Sequence, residues 1–211
     1  MKVTDITRQA LLDHGTDVFA ENGFDGASVR EITRRATSNL AAINYHFGGK
    51  NALYAEVLRA AVAALSDASL LDEETIARVT REEAVRLFIR QQVTPLLKHG
   101  QIGRYLRIFA WETLAPTPVY RDFIASEKLP ILDQAEKIVR RFLPDAAARE
   151  QITVATIWLT QQATPFIRHY DTLSEPPLSL KIDRDFIEQL AADLGCMAVA
   201  GLTSRAQLRP V

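Results

Sequence analysis

Nowhere does this chain alternate apolar and polar residues over the length of a strand, while apolar spacings of three and four recur from end to end. Such spacing places one face of a helix in an interior, and it leaves no period-two face from which to build a sheet. The fold class it predicts is all-α. The punctuation agrees. Asp5 to Asn22 reads as a first helix with Leu11, Gly15, Val18 and Phe19 along its apolar stripe, stopped by Gly23. Ser28 with Glu31, and again Thr80 with Glu83, have the spacing of a capping box, in which two side chains satisfy orphan amides reciprocally.

Between those signals the segments are unequal. Ser28–Arg35 allows only about two turns, and a third short helix runs from Asn39 to Phe47. Gly48-Gly49 break it, and a long helix starts near Lys50. Further helices are expected from Thr80 to about His99-Gly100, over 101–114, near 118–142, near 145–170 and over 183–203. Pro116 and Pro118, then Pro144, and then Pro176-Pro177 in the longest expected loop (171–182) supply the breaks. Three short helices ahead of a long helical remainder predict a trihelical head at 1–50 and a helical body at 51–211.

Composition narrows the function. Lys+Arg total 25 against Asp+Glu 26, and apolar residues make up 47%, a soluble globular balance. One cysteine, Cys196, rules out an internal disulfide and any zinc pattern with two cysteines; a buried, inert thiol is expected there. His14, His99 and His169 show no metal spacing, and neither a metal nor a cofactor is expected. The amino terminus has no apolar signal segment, and no run approaches the ~18 apolar residues of a membrane span, so a cytoplasmic protein with no membrane partner is expected. The sequence has no G-x-S-x-G elbow and no P-loop, so no enzyme is expected. Charge is arranged locally: residues 1–25 carry two basic and five acidic residues, net −3, and residues 26–50 carry four basic and one acidic, net +3.

A small basic surface on three short helices suits a helix-turn-helix, whose second helix must seat one face and offer the other to the major groove. At about 100° per residue, Ile43, Phe47 and Ala36 fall inward while Ala41, Ala42 and Tyr45 point out, flanked by Asn39, Asn44 and His46. Small apolar groups suit a thymine methyl and an amide suits adenine. Tyr45, His46 and Lys50 have the reach for phosphate. A helical scaffold or adaptor without DNA binding is the alternative on geometry alone.

The residues themselves go further. Phe24-Asp25-Gly26-Ala27-Ser28-Val29-Arg30-Glu31-Ile32 and Ile43-Asn44-Tyr45-His46-Phe47-Gly48-Gly49-Lys50-Asn51-Ala52-Leu53-Tyr54 resemble the TetR family of bacterial transcriptional regulators over about residues 5–58. An aromatic-His-Phe triplet with Lys three residues on is specific to that family. Asn39–Gly48 and Trp111-Glu112-Thr113-Leu114-Ala115-Pro116-Thr117-Pro118 also look like its CecR-type subgroup. The resemblance implies a homodimeric repressor that binds a double-stranded, palindromic operator and answers to a small organic effector. By position it implies Ser28 on phosphate, Asn39, Leu40, Ala41, Ala42, Asn44, Tyr45 and His46 on the reading face, and Lys50 clamping the backbone. Thr37-Ser38 depart from the family's usual glycine and aliphatic pair in the turn.

The body speaks less. Glu112 among Ile108, Phe109, Trp111 and Leu114 is either a polar anchor in an apolar effector cavity or a carboxylate paired with Arg104, Arg107 or Arg168. Trp111, Glu112, Gln161, Gln162 and Phe166 are the candidate effector contacts, with Pro165 bending the helix beside the last three. Ile152, Ala155, Leu159 and Gln162 mark one face of the penultimate long helix, and Phe186, Leu190, Leu194 and Met197 a stripe on the last. Two such helices per subunit predict a four-helix dimer seam.

Overall fold

A computed structural model describes residues 3–67, 71–97, 101–127 and 129–207, and every ordered element in them is helical. In chain order these are α1 (Val3–Gly26), α2 (Val29–Arg35), α3 (Leu40–Phe47), α4 (Lys50–Asp67), α5 (Glu73–Arg78), α6 (Arg81–Val93), α7 (Gln101–Leu114), α8 (Pro118–Ser126), α9 (Pro130–Arg140), α10 (Arg149–Thr160), α11 (Thr164–Arg168), α12 (Tyr170–Leu173) and α13 (Arg184–Gln207). The all-α expectation holds. The chain forms two compact units, Met1–Leu65 with His99–Lys128, and Ser66–Lys98 with Leu129–Val211. These units follow compaction; the expected functional division at 50/51 is a separate matter.

In the first unit α1 packs on α2 and α7. Leu11, Val18, Phe19, Ile32, Ile43 and Leu53 are buried there, and Phe19, Phe24 and Tyr54 form an aromatic cluster with centroids 4.7 to 6.2 Å apart. Gly23 breaks α1 with φ 67 and ψ −178, a region open essentially to glycine alone. The indole of Trp111 lies over that break, 3.3 Å from where a side chain would begin, and its Nε1 donates to the Ala20 carbonyl at 3.2 Å. An aromatic ring on α7 thus covers the end of the first helix.

In the second unit α6 packs on α13, and α9 on α10. The inward stripe of α13 is Ile187, Leu190, Ala191, Leu194, Ala198 and Leu202, and that of α10 is Ile152, Ala155 and Leu159. The outward faces are apolar too: Val154 is 53% exposed, Ile157 53%, Trp158 39% and Met197 60%. Arg184–Arg205 has the length and composition of a membrane span, although Glu188 and Asp193 interrupt its apolar run, and only 39% of its most apolar window is buried.

Several boundaries differ from expectation for local reasons. Pro130 opens a new helix at its first turn, so 118–142 is two helices. Pro165 likewise sits in the first turn of α11, where its missing N–H costs nothing, and α10 ends at Thr160 instead of bending through to 170. The helix after Thr80 tightens into a 3-10 turn at Thr94–Leu97; its expected end at His99-Gly100 lies outside the described residues. α12 reaches into the expected loop. Both capping boxes are half made. Glu31 N donates to Ser28 Oγ at 3.4 Å and Glu83 N to Thr80 Oγ1 at 3.1 Å, but each glutamate side chain turns to arginine instead. Cys196 is exposed, not buried as expected, and so is Met197: the α13 stripe holds at Leu190 and Leu194, but Ile187 is buried in the place expected for Phe186, and Ala198 in that expected for Met197.

Candidate DNA-binding interface

α2, a four-residue turn and α3 make the helix-turn-helix. Ile43, 1% exposed, seats α3, while Leu40 is 52% and Tyr45 79% exposed and Ala41 and Asn44 lie open beside them. Ala42, His46 and Phe47 are half-buried. Of the expected arcs, Ile43 lies inward and Ala41 and Tyr45 outward, Leu40 of the reading face is open as well, and Ala36, Ala42 and Phe47 are half-buried.

The turn closes by hydrogen bonding. Ser38 N donates to Thr33 O at 2.9 Å and Thr37 N to Arg34 O at 3.2 Å, the paired bonds of a Schellman ending. That ending needs a left-handed residue, and Thr37 takes it with φ 49. The departure from glycine leaves the turn intact and strains one threonine, since a branched residue in this region costs about 1–2 kcal/mol.

The two expected polar contacts at helix starts are committed to capping. Ser28 Oγ caps α2, and Asn39 Oδ1 accepts the Ala42 amide at 3.0 Å to cap α3. Asn44 is free of such duty: among the described residues its side-chain amide has no hydrogen-bond partner. Lys50 begins α4 with Nζ 4.5 Å over the Phe24 ring, which aims the ammonium without neutralising it. Tyr45 and His46 meet edge to face at 5.0 Å.

The basic surface is smaller than the residue count. Arg35 donates to both oxygens of Glu21, each at 2.8 Å, and to Glu31 at 2.8 Å; Arg34 chelates Glu31 at 2.6 and 2.8 Å. Hydrogen bonds from Arg34, and then from Arg35, hold the Glu31 carboxyl down to about 2. Two arginines and two glutamates thus form a neutral network tying α2 to α1. The Glu31-to-Arg34 and Glu31-to-Arg35 spacings were visible signals for it; Glu21, 14 residues away, was not. Arg8 is likewise engaged, with Glu56 at 2.9 Å and over the Phe47 ring at 4.9 Å.

The candidate effector residues fall in both units. In the first, Glu112 is 2% exposed and held by neutral donors. Tyr54 Oη donates to Oε1 at 2.6 Å, Thr117 Oγ1 to Oε1 at 2.9 Å and Thr117 N to Oε2 at 2.7 Å. Burial, and then the bond to Glu112, raises the Tyr54 phenol, and burial with the Glu112 charge raises Tyr120. Of the arginines considered for Glu112, Arg104 pairs with Asp17. Tyr54 and Thr117 were not anticipated, although Thr117-Pro118 carries the cap-and-proline signature of a helix start. In the second unit both amides turn to their own turn of chain: Thr164 Oγ1 donates to Gln161 Oε1 at 3.0 Å, and Gln162 Nε2 to Trp158 O at 2.6 Å. Phe166 is half-buried on α11.

Comparison with known proteins bears on both parts of the chain. The family model for bacterial regulatory proteins of the tetR family matches residues 11–57, and that for the C-terminal domain of the HTH-type transcriptional dual regulator CecR matches residues 81–192, just over half the chain. The HTH-type transcriptional regulator RutR of Escherichia coli (strain K12) is 22% identical over 202 residues, 94% of this chain and 91% of RutR. The HTH-type transcriptional repressor NicS of Pseudomonas putida is 29% identical over 125 residues, 59% of this chain and 50% of NicS. Among solved structures, AibR in complex with isovaleryl coenzyme A and operator DNA shares the fold with a TM-score of 0.66 at 17% identity, covering 90% of this chain and 97% of AibR. The chain belongs to the TetR family of bacterial transcriptional regulators and carries a CecR-type carboxy-terminal domain.

Proposed function

We propose that this regulator is a cytoplasmic, ligand-responsive repressor that binds a palindromic operator as a homodimer. The observation that carries the DNA half is the open face of α3, seated by buried Ile43 and closed by an intact turn. Ser28, Asn39 to Ala42, Asn44, Tyr45, His46 and Lys50 supply its contacts, with Asn39 and Ser28 acting mainly by holding helix starts in place. Two copies are needed because one short helix reads too few bases, and their reading helices should sit about 34–36 Å apart or a multiple of it. The outward apolar faces of α10 and α13 are the surface for the second copy, and support for it comes from how much of α13 its own unit leaves uncovered.

The effector half rests on kinship and on Glu112. AibR, a structural neighbour, was solved with both an acyl coenzyme A and operator DNA; here a small organic effector is proposed without that identity. Trp111 and Glu112 are the candidate contacts of the first unit; Gln161, Gln162 and Phe166 are a separate candidate set in the second. An effector donor that takes the place of the Tyr54 hydroxyl on Glu112 would release a side chain of α4, whose first residue is Lys50. Differential binding to the two arrangements would shift the population of heads able to hold DNA. The test is a gel shift of the full chain on DNA from beside its own gene across a salt series. A shift that weakens steeply with salt and survives an excess of DNA of unrelated sequence is expected. Binding that unrelated DNA competes away equally rejects the operator reading.

A further inference from the structure

The groove-facing surface of α3 is almost without charge, and that limits which bases it can read. Between Asn39 and Lys50 there is no Arg, Lys, Asp or Glu. What stands open is Leu40, Ala41, Asn44 and Tyr45. The cations nearby are placed elsewhere: Arg34 and Arg35 belong to the Glu21–Glu31 network, and Arg8 lies on Phe47 and Glu56. Arg30 is on α2, the helix that in this motif crosses the backbone instead of entering the groove. His46 is half-buried against Tyr45 and has no forked pair of donors.

Each base shows the major groove a different edge. Guanine presents two acceptors and is met best by the two donors of Arg or a Lys. Adenine presents one acceptor and one donor, which a single amide matches. Thymine presents a methyl group, which needs only an apolar surface. Of the two asparagines, Asn39 holds its oxygen on the Ala42 amide at the helix start, so it cannot turn its amide flat to a base edge without giving up that cap. Asn44 can. Ala41 and Leu40, open on the same helix, suit methyl groups.

We infer that the half-site beneath α3 is dominated by A·T pairs: Asn44 pairs one adenine, Ala41 and Leu40 meet thymine methyls, and α3 reads no guanine bidentately. This rests on the DNA-binding reading above and specifies its base chemistry. Asn39 is a positioning residue in this scheme, holding the start of α3 so that Asn44 reaches its base.

The experiment selects duplexes from a random-core library with the full chain, then edits the recovered site one base at a time. Thymine to uracil removes a methyl and should cost about fourfold at each contacted position, the worth of one buried methylene-sized group. Adenine to 7-deazaadenine should cost about tenfold at one position per half-site, and that cost should vanish in Asn44→Ala. Asn39→Ser, which keeps a capping oxygen, should retain the base preference, whereas Asn39→Ala should lower the melting temperature. Guanine to 7-deazaguanine beneath α3 should change nothing. Half-sites centred on guanine, with 7-deazaguanine giving the largest loss, overturn the inference and leave DNA binding standing. Recovery of no preferred sequence removes the operator reading and the inference with it.

Discussion

At Thr37 the chain pays for a tight turn with a strained residue, and the strain can be relieved. Glycine there removes about 1–2 kcal/mol of left-handed cost but adds about 0.5–1 kcal/mol of unfolded-state entropy. Thr37→Gly should therefore raise stability by about 0.5–1 kcal/mol, seen as a higher denaturation midpoint at unchanged slope, while Thr37→Ala should give no comparable gain. A destabilised glycine variant would mean that the threonine side chain holds something its φ does not reveal. Lys50 makes a separate prediction. Lys50→Ala should weaken binding to all DNA sequences alike and lower the salt slope by about one unit. An unchanged slope takes Lys50 off the phosphate. The Glu31 network adds a pH dependence. Its carboxyl is depressed to about 2 from an ordinary 4.5, so its contribution is full above about 4.5 and is lost as pH falls toward 2. Acid titration of the wild type and of Glu31→Gln, followed by circular dichroism at low salt, should diverge above that window and converge below it.

At the scale of elements, the helix-turn-helix was legible because everything it uses is close in sequence. Ile43 inward and Tyr45 outward follow from helical spacing alone; Asn39, read as a flank of the reading face, is instead the cap of α3. The Tyr54–Glu112 bond was not legible, since its partners are 58 residues apart and no local pattern joins them. The long helices at 118–142 and 145–170 failed for another reason: Pro130 is not among the expected breaks and Pro165 is read as a bend, whereas each opens a helix in its first turn, where proline is most at ease. The α13 stripe held at Leu190 and Leu194 and failed at its ends, Phe186 and Met197, because apolar residues surround the helix and periodicity alone could not choose between neighbours there. That correction changes how the dimer is tested. Leu194 is 8% exposed, so Leu194→Arg would damage the unit itself. Ile157→Glu and Met197→Glu lie on the open face and should yield folded monomers with unchanged circular dichroism and much weaker operator binding. Sedimentation as a dimer despite both changes would move the seam elsewhere.

For the whole molecule, the proposed effector control turns on Glu112. Tyr54→Phe leaves a buried carboxylate short of one donor and should cost about 1–3 kcal/mol. A thermal-shift screen of cationic and neutral amphiphiles against the wild type, Glu112→Gln and Tyr54→Phe then separates roles. An effector that competes with the tyrosine should bind Tyr54→Phe more tightly than wild type, because nothing has to be displaced. Hits that stabilise all three proteins equally remove Glu112 from effector recognition.

The chain has two tryptophans, and they are divided between the compact units: Trp111 over the glycine break of α1, and Trp158 on the open face of α10. Trp158 also sits so close to Gly201 that a methyl there would meet its ring at 2.7 Å. The molecule therefore carries a separate native fluorophore in each unit. In a Trp158→Phe protein the emission comes from Trp111 alone and reports how the end of α1 is held. In a Trp111→Phe protein it comes from Trp158 and should shift to the blue as subunits associate, with no dye, label or foreign residue attached.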